Sequence, residues 1–136
     1  MKTRTTSSML IAILLAFVAL GATKAQANID IYRPVGITFG QTARVTAANT
    51  GTTAIVIVGG KFLDSDGNVL AEFDGGFIDP GVMIAFDLNA DDIIRESNRI
   101  EIRGELTAET SRGLLISAEV FENDTEKTTV FIAVGR

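Results

Sequence analysis

The sequence predicts an all-β fold, a sandwich of about seven or eight antiparallel strands, and three observations carry it. Four segments alternate apolar and polar residues with a period of two, the spacing that puts one set of side chains on each face of a strand. Residues that stabilise turns fill the gaps between segments. Helix signals are confined to one short stretch.

Each element can be justified in chain order. Residues 29–39 predict a first strand interrupted near Arg33-Pro34, because proline removes a ladder donor and is tolerated at edges and bends. Ala43, Val45 and Ala47 mark a second. Residues 53–63 carry the run Ile55-Val56-Ile57-Val58, apolar on both faces, which predicts a central strand covered on both sides. Gly59-Gly60 predicts a bulge or a close backbone approach within it. A short strand follows at residues 69–73, and Val82, Ile84, Phe86 and Leu88 make an alternating fifth.

Residues 89–97, "NADDIIRES", break the pattern. Asn89 can cap a helical turn, acids follow it, and Ile93-Ile94 supply an apolar face, so a short helical or 3₁₀ turn is predicted near residues 90–96. The clearest strand comes next. "RIEIRGELTA" sets Ile100, Ile102, Leu106 and Ala108 against Arg99, Glu101, Arg103 and Glu105. Leu114, Ile116, Ala118 and Val120 repeat that period, as do Thr128, Val130, Ile132 and Val134. No linker, repeat or second domain is evident.

The chain begins with Lys2 and Arg4, an apolar run from residue 9 to 20, and small residues ending in Ala25-Gln26-Ala27. A basic start, a short apolar core and an A-x-A site make a secretory signal peptide. Twelve residues of helix rise about 18 Å, against roughly 30 Å of hydrocarbon, so no membrane span is expected in the mature chain. The expected division is a signal peptide over residues 1–27 and a β-sandwich domain over 28–136. The expected location is periplasmic or extracellular.

Composition narrows the chemistry. There is no cysteine and no histidine. Thiol catalysis, thiolate metal sites and histidine-based proton transfer are therefore excluded, and any metal would need oxygen ligands. Without Lys2, Arg4 and Lys24, nine basic residues remain against seventeen acidic ones, a net charge of about −8. Such a surface repels polyanions, so a nucleic-acid partner is not expected. The expected partner is a protein or another component of the cell envelope.

One stretch, "LDSDGNVLAEFDGG", invites a metal reading. Asp64, Asp66 and Asn68 alternate like the first oxygen ligands of an EF-hand loop. The sixth position, however, is Val69 in place of Gly, and the twelfth is Gly75 in place of Glu. A hairpin turn explains the same residues: the Asp side chains accept backbone hydrogen bonds and Gly67 takes a positive φ. The hairpin is the leading reading and no cofactor is expected; Ca²⁺ at Asp64, Asp66 and Asn68 is the alternative. Eight acidic residues and no basic one lie between Asp64 and Asp92, and dispersal over separate turns is expected for them.

Paired carboxylates can hydrolyse glycosidic bonds, but such sites need a cleft and aromatic platforms. Beyond the leader there is no Trp and only Tyr32, and Phe39, Phe62, Phe73 and Phe86 read as core. Phe77, in "GGFIDPG", is the one aromatic expected to be exposed and is the candidate ligand-contact residue. The glycine pairs at 59–60 and 75–76 lack the spacing and helix of a phosphate loop. Arg95, Arg99, Arg103 and Arg112 interleave with Glu96, Glu101, Glu105 and Glu109, predicting ion pairing on a solvated face.

The runs "FGQTARVTAANT", "GGKFLDSDGNVLAEF" with "IDPGVMIAFDLNADDI", "RIEIRGELTA" and "LLISAEVFENDTEKTTV" together resemble a group of small secreted bacterial proteins of unknown function. The resemblance covers roughly residues 35–135. It implies an immunoglobulin-like β-sandwich and export, and it transfers no catalytic or ligand residue. Members often carry a cysteine on the central strand and another near the penultimate strand, and neither is present here. The functional expectation is a non-catalytic exported module that binds through a sheet face, a loop end or an edge, with residues 29–35 and 128–134 as the strands to inspect. A calcium-responsive or carbohydrate-binding domain is the alternative.

Overall fold

A computed structural model of the protein describes residues 27–95 and 98–134. The expected leader therefore lies outside the described residues, except for Ala27. Eight strands form: β1 (Ala27–Thr38), β2 (Gln41–Asn49), β3 (Ile55–Asp64), β4 (Val69–Ile78), β5 (Met83–Asn89), β6 (Arg99–Ala108), β7 (Leu114–Glu122) and β8 (Thr128–Val134). They make two four-stranded antiparallel sheets, in the orders β1-β6-β3-β4 and β5-β2-β7-β8.

The period of two does what the sequence predicts. In β6, Ile102, Gly104, Leu106 and Ala108 are buried while Arg99, Glu101 and Arg103 are exposed. Ala43, Val45 and Ala47 of β2 and Ile116, Ala118 and Val120 of β7 face them from the second sheet, and all belong to one core cluster. Each Val, Leu or Ile among them taken from water contributes about 1.5–3 kcal/mol, and this apolar core holds the sheets together without disulfides.

Two bulges explain irregular sequence. In β1 the pairing with β6 jumps between Ile31 and Val35, around Arg33-Pro34, where the missing N–H of proline leaves no ladder bond to lose. In β3 the pairing with β6 shifts between Ile57 and Gly59. The inward parity changes there: Ile55 and Ile57 are buried on one side of the bulge, Gly60 and Phe62 face inward on the other. Gly60 is required by close approach, since a Cβ would fall on the Phe73 ring and within 2.6 Å of the Glu105 carbonyl oxygen.

Four expectations are corrected. β4 does not stop at Phe73 but continues through Gly75-Gly76-Phe77 to Ile78. A Cβ at Gly75 would strike the backbone of Ile57 and Val58, so Gly75 serves tight strand pairing. β3 is central, between β4 and β6, yet its outer face is not covered: Val58 at the bulge is 45% exposed. Phe39 is not core; it occupies the turn between β1 and β2 and is exposed. Val130, inward by alternation, is also exposed.

The helical segment reduces to a single 3₁₀ turn, Ala90–Asp92, with Asn89 as its cap: the Asn89 side chain accepts from the Asp91 N–H. Ile94 is buried behind it. Residues 96 and 97, at the end of the predicted stretch, lie outside the described residues. At the opposite end of the sandwich, buried Asn49 ties three segments. Its Nδ2 donates to the Thr53 and Ile78 carbonyls at 2.8 Å, and its Oδ1 accepts from the Gly51 N–H. Its backbone bonds to Val82 and Gly81 as well.

Candidate functional site

The Asp64–Asn68 segment is the hairpin turn between β3 and β4. Asp64 Oδ1 accepts from the Asp66 and Asn68 N–H groups at 2.9 and 2.8 Å, and Oδ2 accepts from Asn68 Nδ2 at 2.8 Å. Gly67 has φ 86°, the left-handed conformation this turn requires. The Asn68 side chain, followed by the backbone donors, lowers the Asp64 pKa from its ordinary value by favouring the carboxylate. The local chain thus uses the acceptors of Asp64 to hold its own backbone.

Two of the other acids between residues 64 and 92, Asp87 and Asp91, serve separate partners. Asp87 makes a two-pronged pair with Arg44 across β2 and β5, with Arg44 also 5.0 Å from the Phe121 ring centroid. Asp91 accepts from the Gly40 N–H and from Asn123 Nδ2, joining two turns at one end of the sandwich. Among the described residues no group of three or more His, Cys, Asp or Glu is gathered where a metal could be held. Of the interleaved charges expected to pair, Arg99 pairs with Glu101 and Arg103 with Glu105, where Lys61 joins from β3; Glu96 lies outside the described residues.

Phe77 is 75% exposed, as expected, though it sits within β4 opposite Val56 and not in a turn.

The two flanks of the sandwich differ. At one, β4 and β5 meet: the Phe73 and Phe86 rings stack across the sheets, 3.7 Å between centroids. At the other, β1 and β8 leave a groove of about 410 Å³, lined by Pro34, Val35, Gly36 and Thr38 of β1, Gln41, Arg99, and Thr129 and Val130 of β8. The two segments singled out for strand addition, 29–35 and 128–134, are thus both edge strands, and they border this groove together.

The sequence reading did not distinguish between them, and the distinction is chemical. β1 carries the Pro34 bulge, β4 carries Glu72 and Asp74, and β5 carries Asp87, each a device that discourages edge pairing. β8, "TTVFIAV", has no charge, proline or glycine. Phe131, on its outer side opposite Glu119, is 64% exposed. A run of seven uncharged residues in a chain that is 21% charged was the available signal.

These features define the class: an immunoglobulin-like β-sandwich with one uncharged edge strand, β8, which is bulged at Thr129. No family model, curated protein or solved structure matches the chain, so no particular family is shown.

Proposed function

We propose that the protein is an exported, non-catalytic binding module that takes a partner strand along the edge of β8. The observation that carries this reading is the contrast among edges: β1, β4 and β5 carry proline or charge, whereas β8 carries neither and, beyond its bulge at Thr129, runs beside a groove of mixed polar and apolar lining. Strand addition draws its affinity from main-chain hydrogen bonds and its selectivity from alternate side chains. Val130 and Phe131 provide those side-chain contacts on the two faces. The absence of Cys and His supports a role without chemistry, and the basic-apolar-small order of residues 1–27 supports export.

A photo-crosslinking side chain at Thr129, introduced in the producing cell, tests the reading. Adducts are expected from Thr129 and not from the same group at Glu72 on the opposite flank. Failure of Thr129 to trap any chain would sink it. N-terminal sequencing of exported protein should begin at Asn28.

The exposure of Phe77 favours a second reading, a carbohydrate-binding or calcium-responsive domain, with Asp64, Asp66 and Asn68 as its cation residues. A shift of the melting curve in millimolar Ca²⁺ that Asp66→Ala abolishes is its expected signature.

A further inference from the structure

We propose that the strand taken up by β8 is β8 of a second copy of this chain, paired antiparallel about a two-fold axis at Phe131. This rests on the edge-binding reading and deepens it by naming the occupant.

Charge selects the occupant. Each copy without its leader carries a net charge of about −8, nine basic residues against seventeen acidic, so two copies repel wherever acidic surfaces meet. Pairing β4 with itself would bring Glu72 and Asp74 toward their counterparts, and pairing β5 would do the same for Asp87. β8 has no charged residue to oppose.

The strand is also self-complementary. Antiparallel pairing about Phe131 places Phe131 opposite Phe131 and Val130 opposite Ile132, within the regular part of the strand beyond its bulge at Thr129. Phe131 and Glu119 are cross-strand partners, as are Ile132 and Ala118, so Phe131 lies on the outer face and Val130 and Ile132 on the inner one. Pairing therefore makes an aromatic cross-strand contact outside, and inside it covers Val130, which is 36% exposed in the single chain. The sheet β5-β2-β7-β8 would continue through the axis into its copy, an isologous interface that closes at two chains. Both exposed β8 edges disappear at once.

The lack of any cysteine makes the register directly testable on the full chain. Phe131→Cys puts two thiols face to face at the axis, within the Cα separation a disulfide bridges. Thr129→Cys sets its two copies about 14 Å apart along the strands, beyond that reach. Under mild oxidation, Phe131→Cys should give a covalent dimer and Thr129→Cys should not. Sedimentation of the unmodified chain should show a dimer. Phe131→Lys, which opposes two ammonium groups at the axis, should weaken association by about tenfold or more, while Phe77→Lys leaves it unchanged. Circular dichroism confirms that each variant is folded.

A chain that stays monomeric up to about 100 μM, a Phe131→Lys variant that dimerises like the parent, or equal crosslinking at both cysteine positions overturns the proposal. If the chain is monomeric and the crosslinker at Thr129 traps a different protein, the self-pairing falls and the edge-binding reading stands. If nothing is trapped, both fall.

Discussion

The β4/β5 flank and the β1/β8 flank of the sandwich are built from the same kind of strand and reach opposite outcomes. At the first, Phe73 crosses to stack on Phe86, and Asn49 ties the end of β4 and the following turn to β2. At the second, a groove separates a bulged strand from an uncharged one. Closing a sandwich evidently needs large side chains that meet between the sheets. Alternation alone brings strands into layers without sealing their margins.

The sharpest way to break the comparison is to remove the closing side chain. Phe73→Ala should cost about 3–5 kcal/mol in urea unfolding, because a stacked, partly buried ring leaves a cavity over Gly60. Asn49→Ala should follow at about 2–3 kcal/mol, since the Thr53 and Ile78 carbonyls and the Gly51 N–H lose their partner. Gly60→Ala should cost about 1–3 kcal/mol by driving a methyl group into the Phe73 ring, a loss that pairing it with a smaller residue at 73 should lessen.

On the open flank, Phe131→Ala should change monomer stability by no more than about 0.5 kcal/mol, measured at a concentration low enough to prevent association. Loss of several kcal/mol there would mean that this flank is as closed as the other. The smallest effect is expected at the exposed β3–β4 turn and is read in pH. Asp64 has a lowered pKa, so its stabilising contribution is present above its ordinary carboxylate value and is lost as pH falls through the folded-state value. The melting temperature of Asp64→Asn should accordingly fall less than that of the parent on acidification below about pH 4.

Most strands could be read from their period, and the reasons for the misses are specific. The fourth strand is read short because the need for Gly75, close approach to the backbone of Ile57 and Val58, arises from a neighbouring strand and not from its own conformation. The run Ile55 to Val58 looks covered on both faces because a bulge that shifts parity leaves the same string of letters. Phe39 looks like core until the turn between β1 and β2 carries it past the end of the strand. For the candidate site, the neutrality of β8 was visible in the sequence. Its position beside β1 was not, because which two edges share a flank is set by the order of all eight strands.

The pairing of β1 has a consequence for how the molecule comes into being. Among the described strands β1 has β6 as its one ladder partner, with Ala27 against Ala108 and Thr38 against Arg99. The first strand to leave the ribosome must therefore wait for most of the remaining polypeptide before it finds its neighbour. Such distant pairing makes assembly slow relative to helical proteins, and it leaves the last step of folding, the closing of the first sheet, to a strand made before any other.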